Sequence, residues 1–394
     1  MKEILFVIDS LTCGGAEKSL ITLLNNLDYT QYNVDLLMFK RGGDFEKFIP
    51  TEVNILNVPD YFSFLSGRSS INIINRIKYL TYRVKTSIKL RVNNKSKNHI
   101  HPEQVVYKSI QNILGSLDKK YDTAIAYSQG FPTYFVSEKV QANKKLAWIN
   151  CEYVKTMYDK DLDNKFYNNI DKIVVVSDYI YNSMSNMKYN YKDKMIKILD
   201  IIDPKLINDM ALREEAKELK NVNEFKILTV GRLMPVKGYD LAIKAACLLK
   251  KNNYKFKWFI VGEGSYRNYL EEFIKYNKLE NEVVLLGSKS NPYPYMKECD
   301  LYVQPSRREG FGLTVMEAKI LKNVIITTNF DTARELITNG NDGIIVGMNE
   351  ISLYAAIKKM IDDKSYYDVI KDNVSKSLEY STVDEVNKVY SEIS

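Results

Sequence analysis

What this sequence has little of narrows its chemistry first. Only two histidines, His99 and His101, occur in 394 residues, so a mechanism built on imidazole is not expected. Four cysteines, Cys13, Cys151, Cys247 and Cys299, stand without a paired spacing. That pattern suits buried thiols in a reducing compartment and argues against a disulfide framework or a zinc site. No uninterrupted apolar run of about 18 residues is present, and the opening Met1 to Asp9 is short and broken by charge. The expectation is a cytoplasmic chain that neither crosses a membrane nor is exported. Internal repeats and low-complexity tracts are missing, as is the Gly-x-x-x-x-Gly-Lys-Ser/Thr phosphate loop. An Asp-x-Asp spacing does occur, in Asp159 Lys160 Asp161 Leu162 Asp163, where a divalent cation is one reading. Acids favoured at a helix start explain it more simply, and no metal site is expected.

Negative charge is missing from one whole stretch. From Arg68 to Pro102 the chain carries Arg68, Arg76, Lys78, Arg83, Lys85, Lys89, Arg91, Lys95 and Lys97 without a single Asp or Glu, within a protein of net charge +7. Ile71, Ile74, Ile77, Thr81, Val84 and Ile88 recur there at three- and four-residue steps, giving one apolar helical stripe with cations on its flanks and back. Two readings stay open. The stripe packs on a domain core and leaves a solvated basic face, or it lies in an anionic membrane interface, with Arg76, Arg83, Lys85 and Lys89 touching membrane or acceptor. Nucleic acid is not an expected partner, because no binding module accompanies the charge.

With 45% hydrophobic and 27% charged residues, the composition is that of a globular protein long enough for two domains, each with its own core. Both halves alternate short apolar runs with helical periodicity. In the first, Ile4 to Ile8 reads as a buried strand, followed by Gly14 and Gly15 and a helix through Leu20, Leu23, Leu24 and Leu27. Adjacent glycines let backbone approach an anion, and the helix start aims its amides there. Further strands fall at 32–39, 121–128, 145–149 and 172–177, the third ending in Asn150. The pattern breaks near Ile198 to Pro204, read as the start of an interdomain linker.

The second half opens with a strand at 225–230 and a loop, Gly231 Arg232 Leu233 Met234 Pro235 Val236 Lys237 Gly238, that places two cations at one strand end. A forked guanidinium beside an ammonium suits a diphosphate. Strand-end loops at Gly262 Glu263 Gly264 and at Gly287 Ser288 Lys289 follow. Next comes Ser306 Arg307 Arg308 Glu309 Gly310 Phe311 Gly312 Leu313 Thr314 Val315 Met316 Glu317, read as strand, glycine turn, helix. The turn leaves the first helical amides unpaired, and the helix dipole adds positive charge, so phosphate can be held there. Glu309 precedes the helix and Glu317 lies inside it.

The segment Glu309 to Glu317, with Gly310, Phe311, Gly312 and Leu313 between, resembles the donor-binding signature of retaining glycosyltransferases of family 4. Gly14–Lys18, the Arg232/Lys237 loop and the stretch 121–132 are similar to that family's motifs in the same order. The resemblance implies an α/β protein of the GT-B fold: two Rossmann-like domains with parallel sheets facing a central cleft and a C-terminal helix crossing back to the first. The expected division is an acceptor-binding domain at 1–200 containing the basic segment 68–102, a nucleotide-sugar-binding domain at 201–375, and the returning helix at 376–394.

It further implies a metal-independent, retaining hexosyltransferase with no required cofactor, the nucleotide-sugar being a co-substrate, UDP-linked in the nearest reading. The acceptor is a saccharide, lipid-linked in the reading taken here, for surface polysaccharide or glycoconjugate synthesis at the inner face of the membrane. Glu309 faces the sugar, Glu317 the ribose, and Arg232, Lys237 and the amides of Gly312 to Thr314 the phosphates. Gly14, Gly15, Gly231, Gly262, Ser288 and Lys289 complete the donor contacts. Asn150 stands where many relatives place a histidine, a departure that leaves the sugar a hydrogen-bonding group without positive charge. A GT-B epimerase or phosphorylase, or a non-catalytic nucleotide-sugar-binding protein, is the alternative.

Overall fold

A computed structural model describes residues 1–12, 14–67, 72–377 and 382–394. Cys13, Arg68 and Ile71 lie outside the described residues. The chain divides into two compact units, Met1–Ile201 with Val383–Ser394, and Ile202–Thr382.

The first unit holds β1 (Lys2–Ile8), β2 (Tyr32–Met38), β3 (Asn54–Ile55), β4 (Lys120–Ala126), β5 (Gln141–Ile149), β6 (Lys172–Val175) and β7 (Met195–Lys197). They form one parallel sheet in the order β3-β2-β1-β4-β5-β6-β7. Its strands read as nearly unbroken apolar runs because helices cover both faces of a parallel sheet. Tyr127 stacks on Trp148 at 4.9 Å in the core, and both rings are buried. The last helix, Thr382–Ile393, completes this unit rather than the second. Val386, Val389 and Ile393 are buried, Lys144 pairs with Glu392 at 2.6 Å, and Glu385 accepts a hydrogen bond from the Leu199 amide at 2.7 Å. The chain therefore crosses back, as the GT-B fold requires.

The second unit repeats the plan with β8 (Phe225–Val230), β9 (Phe256–Val261), β10 (Val283–Gly287), β11 (Leu301–Gln304), β12 (Ile325–Thr328) and β13 (Ile344–Val346), parallel in the order β10-β9-β8-β11-β12-β13. Trp258, Tyr239, Leu301, Val303 and Ile326 lie in its core, and Trp258 donates to Thr229 at 3.0 Å. The helix Lys364–Lys376 stays here through Ile370 and Val374. The break read near Ile198 to Pro204 falls where the two units divide, and Pro204 itself sits in the first turn of the helix Pro204–Arg213, capped by Asp203, whose side chain accepts from the Leu206 amide at 3.0 Å. Proline lacks only an amide that a helix start leaves unpaired anyway. The helix packs on the second unit, where Asn291 donates to Met210 O at 2.9 Å.

In both sheets successive strands run outward one way and then the other from a central pair, β1/β4 and β8/β11. Such switch points leave a crevice beyond the carboxyl ends of the strands, the place where open α/β sheets bind ligands.

The basic segment forms the helix Ile73–Lys95, 23 residues long, capped by Asn72. Its apolar stripe is not packed on the core. Ile74 is 78% exposed, and Ile73, Ile77, Leu80, Val84 and Ile88 are also exposed; Tyr79 and Thr86 are the buried residues. The core-packing alternative for the stripe is thereby overturned, since the inward face is made by other side chains.

Candidate active site

At the second sheet's switch point, two loops meet. β8 ends in the loop carrying Arg232 and Lys237, and β11 ends in the loop carrying Glu309. Their close approach depends on Gly238, which has φ +67°; a Cβ there would lie 1.9 Å from Pro305 O. The two loops are joined further by Arg307, whose amide donates to Val236 O at 2.8 Å and whose guanidinium forks onto Asp240 at 2.8 and 2.7 Å. Burial alone would raise the Asp240 carboxyl, but Arg307 outweighs it and holds the acid below its ordinary range.

Inside that frame Lys237 Nζ meets both oxygens of Glu309, at 2.7 and 2.6 Å. The same carboxylate also accepts from Ser306 Oγ at 2.6 Å and Gln304 Nε2 at 3.0 Å. Gln304 is oriented in turn by Tyr302 Oη at 2.7 Å. Two neutral donors thus hold Glu309 independently of the lysine. Arg232, on the same loop as Lys237, is exposed.

Gly312, at φ +106°, starts the helix Leu313–Ile320. A Cβ on it would come within 2.6 Å of Leu336 Cδ1, so the turn is closed on its inner side. The first helical hydrogen bond runs from the Val315 amide to Gly312 O at 2.9 Å, so the amides of Leu313 and Thr314 precede the helix's own ladder. Phe311 is buried, and its carbonyl accepts from Thr332 Oγ1 at 3.0 Å. Glu317 is 2% exposed and accepts from Tyr293 Oη at 2.9 Å, an inward-facing acid rather than an open one.

The neighbouring strand ends are stitched to this loop pair. The Gly231 amide donates to Val261 O at 3.0 Å, Leu233 to Glu263 O at 2.9 Å, and Gly262 to Gly287 O at 2.9 Å. A Cβ at Gly262 would sit 1.9 Å from Gly231 O, so only glycine permits this approach. Ser288 is exposed. Lys289 is committed elsewhere, pairing with Glu218 at 2.8 Å and lying over the Tyr295 ring at 5.3 Å. Its ammonium is therefore a brace between this loop and the helix Lys217–Lys220, which leaves its backbone for any ligand.

The first unit has its own switch-point groups. Gly14 caps the helix Gly15–Asn25, and its approach to Glu17 is so close that a Cβ would fall 2.2 Å from Glu17 Oε2. Asn150, at the end of β5, donates through Nδ2 to Tyr127 O at 2.7 Å, while its amide donates to Gln129 Oε1 at 3.0 Å; Oδ1 is buried with no partner among the described residues. Asp9, at the end of β1, accepts from Ser128 Oγ at 3.2 Å. Burial pushes its carboxyl up to about 7, and Glu103 adds to the rise. Sequence reading passed over Asp9, Asp240 and the Ser306/Gln304 pair. A lone acid after a buried strand was the available signal for the first.

The Asp-x-Asp acids do not converge. Asp159 caps a helix through the Asp161 and Leu162 amides, and Asp161 pairs with Lys188 at 3.0 Å. Asp163 is buried under Gln104 and Tyr134, at 2.6 and 2.5 Å. Three acids serving three local structures do not form one cation site.

Comparison with known proteins agrees with this fold. Residues 211–377 match the family model for glycosyl transferases group 1. The chain is 32% identical over 245 residues, 59% of its length and 65% of the relative's, to the Campylobacter jejuni N-acetylgalactosamine-N,N'-diacetylbacillosaminyl-diphospho-undecaprenol 4-alpha-N-acetylgalactosaminyltransferase. That alignment spans somewhat less than two thirds of the relative. A second C. jejuni protein, the GalNAc-alpha-(1->4)-GalNAc-alpha-(1->3)-diNAcBac-PP-undecaprenol alpha-1,4-N-acetyl-D-galactosaminyltransferase, is 25% identical over 384 residues, covering 95% of this chain and 93% of the relative. Among solved structures, Anabaena HepE in complex with UDP-glucose superposes with a TM-score of 0.71 at 18% identity, over 99% of both chains.

Proposed function

We propose that this chain, a GT-B protein whose second unit carries a glycosyl transferases group 1 domain, moves a sugar from a nucleoside-diphosphate sugar to a lipid-linked saccharide with retention of configuration. One observation carries the reading: Lys237, Glu309 and the start of the Leu313–Ile320 helix share one switch point on the second sheet. The undecaprenol-linked acceptors in the names of both C. jejuni relatives support a lipid carrier. The UDP-glucose complex of HepE supports a uridine nucleotide as donor.

The hard step is departure of the nucleoside diphosphate. Negative charge grows on the distal phosphate as the sugar becomes oxocarbenium-like, so positive groups already in place there lower the barrier most. Without ligand, Lys237 neutralises Glu309. An arriving diphosphate competes for that ammonium, and Arg232 and the amides of Leu313 and Thr314 add to its hold. Glu309, relieved of the lysine, stays oriented by Ser306 and Gln304 and accepts from a sugar hydroxyl. Glu317 with Tyr293 receives the ribose end. Positive charge from side chains and amides takes the place of a metal ion in this scheme. Attack from the face that the phosphate leaves preserves the anomeric configuration, the departing phosphate accepting the acceptor's proton.

A thermal-shift panel of nucleotide sugars followed by assay on undecaprenyl-diphosphate saccharides tests this reading. The expected result is stabilisation by a UDP-sugar and an α-linked product from an α-donor. Turnover of the donor alone to an epimer, or stabilisation without transfer to any acceptor, would sink it.

A further inference from the structure

We propose that the Ile73–Lys95 helix docks the first unit onto an anionic lipid bilayer, lying in the plane of the interface. The proposal stands apart from the transferase reading, because it rests on a surface remote in sequence from Glu309 and needs no sugar nucleotide.

The helix is built inside out for a water-exposed element. Ile73, Ile77, Leu80, Val84 and Ile88 are each 52–77% exposed. At 3.6 residues per turn they form one stripe about 150° around the axis from Tyr79 and Thr86, which are buried. The inward face is held by other means. Tyr79 meets Tyr61 and Phe64 with centroids at 5.7 and 5.8 Å, and Asn93 exchanges hydrogen bonds with the Ile100 backbone at 2.9 and 3.0 Å. The protein thus presents an apolar ridge that its own core does not need. A scattered exposed Ile or Leu requires no explanation, but a continuous ridge does.

Charge says what covers the ridge. Arg76 and Arg83 project from one flank, and Lys78, Lys85 and Lys89 from the other, all exposed, with no Asp or Glu between residues 72 and 102. Long cationic side chains beside a shallow apolar stripe let the stripe enter the acyl boundary while their heads reach lipid phosphates. A second copy of the chain fits less well, because a two-fold contact along this helix would set like-charged rows against each other. The helix cannot cross a bilayer: no helix among the described residues is long and apolar enough.

The test is flotation of the full chain with phosphatidylcholine vesicles, with and without phosphatidylglycerol, at low and high salt. Binding is expected to need the anionic lipid, to fall with salt, and to drop at least ~10-fold when Arg83, Lys85 and Lys89 are all changed to Glu. An Ile77→Ser, Val84→Ser, Ile88→Ser variant should also lose binding yet keep the wild-type helical circular dichroism and thermal response to nucleotide sugar. Failure of the wild type to float with anionic vesicles would overturn the proposal, as would flotation indifferent to both variants. So would a wild-type dimer that the serine variant turns into a monomer, since that assigns the ridge to a second copy. Docking and donor binding are read separately, so either proposal can fail alone.

Discussion

Glu309 is held by three side chains, and only one of them is charged. Removing Lys237 leaves the carboxylate in place through Ser306 and Gln304 but takes away the ammonium that, in the proposed mechanism, meets the leaving phosphate. Lys237→Ala is expected to lower kcat/KM roughly 100- to 1000-fold with little loss of melting temperature, and Lys237→Arg to recover part of it. Steady-state kinetics beside calorimetry checks this; an alanine variant within a fewfold of wild type would remove Lys237 from the reaction.

A second residue-scale consequence concerns Asp200, 5% exposed, whose carboxyl burial pushes up to about 7. The folded state binds this proton more tightly than the unfolded chain does. Its favourable contribution is therefore full below about pH 4 and fades as pH rises through 7. Asp200→Asn should be more stable than wild type at pH 8, on the order of a few kcal/mol, with the difference shrinking towards pH 5. Urea melts at the two values decide it, and a gap that widens on acidification contradicts the sign.

The element that positions this chemistry is a pair of strand-end loops, and their contact is backbone against backbone. Gly238 combines a left-handed φ with no room for a Cβ against Pro305 O, so Gly238→Ala meets both penalties. A loss of about 2–4 kcal/mol is expected in the second unit's stability, with activity falling at the same time. Unchanged melting would show that the loops separate without cost.

At this scale the sequence was a good guide where one residue type has one physical use. Glycines at strand ends, the cations of 232 and 237, and the helix after Gly312 were all readable from spacing. Side-chain direction was not. Lys289 turns to Glu218, Glu317 faces Tyr293, and the helix Ile73–Lys95 turns its isoleucines outward, because each orientation is set by distant partners. Periodicity reports that a helix has an apolar stripe and leaves open what lies against it. Likewise Pro204 marks an irregularity that serves equally as a helix start.

For the molecule as a whole, the doubled plan was legible, since two series of apolar runs alternate with helices on either side of residue 200. The two sheets share one strand sequence about their switch points. Ownership of the last helix was legible only through family resemblance; what holds it are Val386, Val389, Ile393 and the Lys144–Glu392 pair. Deleting residues 383–394 should destabilise the first unit by on the order of 5 kcal/mol and leave the second unit's unfolding nearly unchanged. Limited proteolysis with mass mapping reports which unit opens; cleavage confined to residues 202–377 would contradict the assignment.

The final dozen residues also impose a schedule. The segment that completes the first sheet's surroundings leaves the ribosome only after every strand of the second sheet has been made. The usual order, in which the amino-terminal domain finishes before its successor appears, is thereby reversed. A released chain ending at residue 377 would hold a nearly complete second unit and a first unit whose apolar seam, covered otherwise by Val386, Val389 and Ile393, stays open to chaperones.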